Sequence, residues 1–398
     1  MLHSLEFNKI SKQVPGWGNF ILKGINYDRS ESLRTLRHIF RSLWVYYAIM
    51  NNRFEVEIKS ENISHLKNNL NKIYQYNSQI FPLLLLFHDI GRPFNKEWHT
   101  FESANMIREK NLLSKFQLTL EQQIILYGAI KYHLLPGTIY TGESSYYGAI
   151  SIFNDKKLQI LWQSTEDISI FFHILNAFTL VDIWGYDYSK IYDHYFRNYD
   201  KIRLNLSDIF DKTRSFEFEE RSFALFNALS NLDKNNLKWR VSCALRIFQF
   251  IETSPDLTID LYFSKIDEAL AQIGIDWNHF AKSLEDKHIV IQFKYSLPLV
   301  MLLASGSFKR EPINHEEKMD PKIFYFWQNC CKKVSSHLKD IKIPRAWNFI
   351  FRLPRGWFFK KEYVNYIRSE QFFKDLRKIP SKYDPNFESY FVNFKLNV

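Results

Sequence analysis

Apolar residues recur at helical spacing through most of this chain. Between 31 and 50 (ESLRTLRHIFRSLWVYYAIM) they fall at every third or fourth position after a Ser/Glu-rich start, which predicts a helix with one buried face. The same pattern predicts helices over 61–76, 78–90, 99–113, 119–134, 145–163 and 166–186. Gly91 and Pro93 stop the third of these, and Pro136-Gly137 closes the helix over 119–134. After a polar, aromatic stretch at 186–205, helical patterns return at 217–230, 236–252 and 257–273, followed by an apolar run from 288 to 308. Only 12 glycines and little Val/Thr alternation argue against a β-rich fold. The expected fold class is all-α: a helical bundle in 1–205 with its core at 30–190, then a helical C-terminal domain over 206–398. A chain of 398 residues is long enough for two such domains.

One stretch, LLLLFHDIGRPFNKEWHTFESA from Leu83 to Ala104, does not read as packing alone. A run of apolar residues leads straight into His88 and Asp89, and His99 follows. Imidazole and carboxylate groups left bare in an apolar interior cost several kcal/mol each, so something must satisfy them. Six residues sit on helices with a buried face, or at helix ends: His38, His88, Asp89, His99, His133 and Asp182. Together they form a ligand set for one or two divalent ions among Mn, Fe, Co, Ni, Zn and Mg. Adjacent helical residues point about 100° apart, so Asp89 could lie between two ions while His88 binds one. His65 is the alternative to His38 as the first ligand. His173, nine residues before Asp182, projects to the other side of its helix and reads as structural; Asp187 is a weaker substitute for Asp182.

The ordered pattern His…His-Asp…His…His…Asp resembles that of the HD-domain superfamily of metal-dependent phosphohydrolases. It is carried by LRHIFRSLW, LLLLFHDIGRP, WHTFESA, IKYHLLPG and LVDIWG, over roughly residues 30–190. HDIGRP is similar to the family's HDIGK-type signature, with Arg92 where Lys is common. HTFESA resembles a motif of two-metal members, and IKYHLL and TLVDI resemble the HD domain of the uridylyl-removing enzyme of nitrogen regulation. The interval from His38 to His88 is long for the family.

The resemblance implies an HD-type helical bundle holding two divalent ions bridged by Asp89. It further implies hydrolysis of a phosphodiester or phosphomonoester, in a nucleotide or a nucleic acid, through a metal-bridging hydroxide. Asp89, Arg92, Lys96 and Lys131 are the candidate catalytic groups, the three cations to hold phosphate or stabilise developing charge. Glu97 or Glu102 is a candidate to orient ligands. Some proteins with this fold and ligand set are mixed-valent di-iron oxygenases, and a regulatory module binding nucleic acid or a protein partner is a third reading.

Composition narrows the picture further. Three cysteines, Cys243, Cys330 and Cys331, supply neither a disulfide framework nor zinc-ligand spacing. No segment has the length of a signal peptide core or a bilayer span, so a soluble, cytoplasmic protein with no membrane partner is expected. The net charge is +10, and residues 301–398, with 19 Lys and Arg against 10 Asp and Glu, carry nine of those charges. There basic residues interleave with aromatics (RAWNFIFRLPRGWFFKK), and Arg352, Arg355, Lys360 and Lys361 are candidates to meet a polyanion. A solvated lysine-rich face over a Phe-rich core is the plainer reading of the same stretch.

Overall fold

A computed structural model describes residues 5–140, 146–186 and 191–217 and, further along, chiefly 259–284, 289–294, 318–338, 347–352, 369–384 and 389–393. The chain is predominantly helical. Up to residue 213 the helices are α1 (Leu5–Gln13), α2 (Trp17–Tyr27), α3 (Arg29–Met50), α4 (Ser60–Tyr76), α5 (Ile80–Phe87) and α6 (His99–Glu109). They continue with α7 (Leu120–Tyr132), α8 (Leu135–Tyr140), α9 (Ile150–Asn154), α10 (Thr165–Trp184) and α11 (Asp193–Thr213). The chain divides into two compact units, one of Met1–Gly137 with Ile152–Arg221, the other of Thr138–Ser151 with Ser222–Val398.

In the first unit α10 is the central element, packing against α3, α4, α5, α7 and α11. Its sequence is apolar nearly all round, and every residue from Ile170 to Asp182 is buried. Its length and apolarity would also suit a bilayer span, but 78% of that window is buried within the protein, as in a core helix. Polar side chains cap the start of α3, α7 and α10. Asp28 accepts from Glu31 N at 3.0 Å before α3, Ser164 accepts from Asp167 N before α10, and Thr119 and Gln122 form a capping box before α7.

Three expectations for this region change. The helix expected over 145–163 is broken, because Asp155 turns its carboxylate back onto Lys157 N at 3.1 Å. α9 and a 3₁₀ turn at Gln159–Gln163 lie on either side of that break. Pro136 does not end helical structure but sits in the first turn of α8, where its missing N–H is not needed. The domain boundary expected at 205 falls inside α11, and the first unit runs on to Arg221.

The second unit holds α12 (Ile259–Ala271), α13 (Trp277–Leu284), α14 (Lys322–Leu338) and α15 (Glu370–Lys378). It also holds strands β1 (Ile289–Lys294), β2 (Trp347–Arg352), β3 (Ser381–Asp384) and β4 (Ser389–Asn393). They form one sheet in the order β1-β2-β4-β3. β1 and β2 run parallel with Ile289 opposite Trp347, β2 and β4 are parallel, and β3 and β4 are antiparallel. The sheet was not expected, and with it the chain stays predominantly helical, as the all-α reading has it. IVIQFK and WNFIFR are β-branched and aromatic over only six residues each, long enough for a strand and too short for a helix of the expected kind. Arg352 ends β2 opposite Lys294. The predicted helix 236–252, most of the 288–308 run, Asp187, Arg355, Lys360 and Lys361 lie outside the described residues.

Candidate metal centre

The six ligand candidates converge in the first unit, and five of them sit at or beside a helix end. His38 lies mid-helix on α3; His88 caps the C-terminus of α5, with Asp89 next to it. His99 opens α6, His133 caps α7 and Asp182 lies in the last turn of α10. All six are buried, with His88 and Asp89 at 0% and 1% exposure.

The C-terminal turns of α5 and α7 and the turn before α6 supply carbonyls, and three of the histidines use them. His88 Nδ1 donates to Leu85 O at 3.0 Å, His99 Nδ1 to Lys96 O at 3.1 Å, and His133 Nδ1 to Ile130 O at 2.8 Å. A carbonyl only accepts, so each Nδ1 carries the proton and each neutral ring turns the lone pair of Nε2 toward the interior. His38 differs: its Nδ1 is buried without a partner, while its ring stacks on Tyr186 with centroids 4.0 Å apart.

The lone pairs meet carboxylates. Two three-residue groups, His38–His88–Asp89 and Asp89–His99–His133, each bring ligand atoms within 4.8 Å of one another, and Asp89 belongs to both. Asp89 Oδ1 lies 3.2 Å from His99 Nε2, while Oδ2 lies 3.7 Å from His88 Nε2. Each oxygen therefore serves a different group, as a bridging carboxylate requires. Asp182 Oδ1 joins the first group, 2.7 Å from His38 Nε2 and 3.2 Å from His88 Nε2. Lone pair facing lone pair at such distances is repulsive unless protons or cations lie between, and neutral imidazole with carboxylate is the donor chemistry of borderline divalent ions. The residues fit two such ions, with Asp89 common to both.

Titration reflects the crowding. Burial opposes charge on both buried acids, yet the imidazoles around Asp89 and Asp182 hold their carboxyls below the usual range. Burial likewise opposes charge on His88, but the Asp89 and Asp182 carboxylates outweigh it and raise its pKa. His133 is pushed down to about 3 by burial and by the charge of His88 and His99.

Glycine sets the spacing at two points. A Cβ on Gly91 would come 2.5 Å from Ser103 N and 2.7 Å from Glu102 Cβ, so the turn after His88-Asp89 lies against the start of α6 and locks His99 beside it. Gly91 N also donates to Ser103 Oγ at 2.9 Å. A Cβ on Gly185 would come 2.1 Å from Ser42 Oγ and 2.7 Å from His38 Nδ1.

The expected cations divide. Arg92 reaches the centre: Nη1 donates to Asp89 Oδ2 at 3.1 Å and to Tyr186 OH at 2.9 Å, while Nε donates to Glu31 Oε1 at 2.9 Å. Lys96 stands one step back, 3.0 Å from Glu31 Oε2 and half exposed. Lys131 corrects the reading, for its ammonium is held by Asp155 Oδ2 at 2.6 Å among the rings of Phe101, Tyr127 and Tyr132. The pull of the part-buried Asp155 exceeds that of a centre whose acids are already matched by imidazoles. His65 pairs instead with Asp200, at 3.6 Å, and among the described residues His38 is the one of these two that joins the cluster. His173 meets Arg203 at 3.4 Å, outside the centre.

Glu31 and Tyr186 were not anticipated. Glu31, Thr35, His38 and Ser42 recur at helical spacing on α3, and all are buried, so a polar line on an otherwise apolar face was the available signal. A cavity of about 340 Å³ lined by Phe153, Trp162, Arg214 and Arg221 among others contains none of the ligands. Comparison with protein-family models, curated proteins and solved structures finds no match to this chain.

Proposed function

We propose that the first unit is an HD-type bundle and that the protein is a metal-dependent phosphohydrolase, most suited to a phosphodiester in a nucleotide or nucleic acid. The observation that carries this reading is Asp89, whose two oxygens face two separate histidine groups. His38, His88, Asp89 and Asp182 would hold one divalent ion, and Asp89, His99 and His133 the other. Such a pair of ions, when bound, polarises a phosphoryl group and lowers the pKa of water.

The chain's own residues do the rest. The Nδ1–H bonds to Leu85, Lys96 and Ile130 fix each imidazole in the tautomer that presents Nε2. Arg92 keeps Asp89 ionised and in place, and is itself held by Glu31 and Tyr186. Lys96, half exposed and shared between Glu31 and Asp28, would be the cation to meet an incoming phosphate. Neither a nucleophilic side chain nor a phosphate-cradling glycine loop is needed.

The test is to load the purified chain with Mn, Ni, Mg, Zn or Fe and assay bis-p-nitrophenyl phosphate, dinucleotides and oligonucleotides. Hydrolysis that Asp89→Asn abolishes is expected. Full metal loading with no hydrolysis of any phosphate ester overturns the reading, and oxygen consumption by the iron form would favour the di-iron oxygenase alternative in its place.

A further inference from the structure

We propose that Tyr186 is a positioning residue of the centre, holding the His38 ring where its Nε2 must point; as a metal-positioning role this rests on the reading above. His88, His99 and His133 are each fixed by an Nδ1–H bond to a carbonyl, which sets ring orientation and tautomer together. His38 has no such bond. It lies mid-helix on α3, where the helix itself uses the carbonyls, and its buried Nδ1 has no hydrogen-bond partner among the described residues. The outer torsion of a histidine is broad, so nothing within the residue fixes the plane of the ring. Yet its Nε2 is held 2.7 Å from Asp182 Oδ1 and 3.2 Å from His88 Nε2.

The turn that ends α10 supplies the missing constraint. Residues 182–186 (DIWGY) meet the His38 ring on three sides. Asp182 takes the Nε2 corner. The backbone at Gly185 closes on the Nδ1 edge, so near that a Cβ there would lie 2.7 Å from Nδ1 and 2.8 Å from Cε1. Tyr186 covers the face, with ring centroids 4.0 Å apart and the planes 21° from parallel. Turning the imidazole about its outer torsion would drive an edge of the ring into the phenol.

Tyr186 is itself anchored to the centre. Its hydroxyl accepts from Arg92 Nη1 at 2.9 Å, and the same nitrogen donates to Asp89 Oδ2 at 3.1 Å. Arg92 Nε is held in turn by Glu31 Oε1 at 2.9 Å. The phenol is therefore tied at one end to α10 by its backbone and at the other to Arg92 by its hydroxyl. Substitution separates the two parts: Phe keeps the stack and drops the anchor, and Leu drops both. Since the ring does the positioning, Phe should serve in place of Tyr186 and Leu should not.

Diethyl pyrocarbonate labelling of the full chain in EDTA, read histidine by histidine in a mass spectrometer, tests this without any metal. His38 is expected to stay protected in the wild type and in Tyr186→Phe and to react several-fold faster in Tyr186→Leu. His88 and His133 are expected to react alike in all three proteins, which separates a freed His38 ring from a loosened fold. Loading with Mn, followed by desalting and elemental analysis, gives the second readout. Tyr186→Phe is expected to keep both ions. Tyr186→Leu is expected to hold the ion of the His38–His88–Asp182 group roughly 10–100-fold more weakly and to keep the other. Equal labelling of His38 in the three proteins, faster labelling of His88 and His133 along with it, or the same ion loss in Tyr186→Phe as in Tyr186→Leu would overturn the role of Tyr186. Should the labelling pattern hold while the loaded protein hydrolyses no phosphate ester, the phosphohydrolase reading falls and the hold of Tyr186 on His38 stands. Hydrolysis without the labelling difference removes the role of Tyr186 alone.

Discussion

The Nε2 atoms of His38 and His88 lie 3.2 Å apart, and both face the same oxygen of Asp182. His88 donates through Nδ1 to Leu85, so its Nε2 offers a lone pair, and that lone pair points at His38. Two rings placed so need a cation or a proton between them. A divalent ion satisfies both at once and uses the Asp182 oxygen as well.

The shared position of Asp89 makes ion stoichiometry diagnostic. Asp89→Asn is expected to lose both ions, while His99→Ala is expected to lose one and keep the ion of the His38–His88–Asp182 group. Elemental analysis after desalting gives the counts directly. Retention of both ions by Asp89→Asn would show that the carboxylate does not bridge.

Gly185 and Ser42 form a steric pair around His38. Gly185→Ala would place a Cβ 2.1 Å from Ser42 Oγ and 2.7 Å from His38 Nδ1. The resulting overpacking is expected to cost about 1–3 kcal/mol and to push the His38 ring away from Asp182. Ser42→Ala in the same chain relieves the closer clash and is expected to recover part of the stability. Urea unfolding of the single and double variants measures both effects, and an unchanged midpoint in Gly185→Ala would show that the close approach is not rigid.

Much of the first unit could be read from residue pattern, because its helices carry continuous apolar faces and five of its six candidate ligands punctuate helix ends. His88-Asp89 was legible because an apolar run leads straight into it, and the structure adds that Gly91 is required there by close contact with Ser103 N. The role of Lys131 was not, because the partner that claims it, Asp155, lies 24 residues on in a segment whose helical pattern is interrupted. The sheet of the second unit escaped for a related reason. Its parallel strands pair across connections of tens of residues, and β1 alone is an apolar run with no local mark of its partner β2.

Lys131→Met tests that reassignment. With the ammonium gone, Asp155 keeps Tyr132 OH at 3.1 Å but loses its counter-charge in a site only 7% exposed. A loss of about 1–3 kcal/mol in stability is expected, with metal content unchanged. Loss of a bound ion with unchanged stability would return Lys131 to the centre.

Two histidines outside the centre contribute to the pH dependence of stability with a definite sign. His173 and His194 lie outside the ligand set and are pushed down to about 4, His173 by burial and the Arg203 charge, His194 by burial and Arg197. Their ordinary value is 6.5, so between about 4 and 6.5 the unfolded chain binds protons that the folded one refuses, and stability falls as pH falls through that window. Bound metal adds a second dependence in the same direction, because imidazole must be deprotonated to ligate. The loaded protein is expected to exceed the chelated one in stability at pH 7, by about 2.7 kcal/mol at a free ion concentration one hundred times Kd. That margin is expected to shrink toward zero by pH 5, while the chelated protein itself weakens over the same interval. Urea midpoints of loaded and EDTA-treated protein across this range separate the two contributions. A margin that stays constant with pH would mean that the ion is not held by histidine.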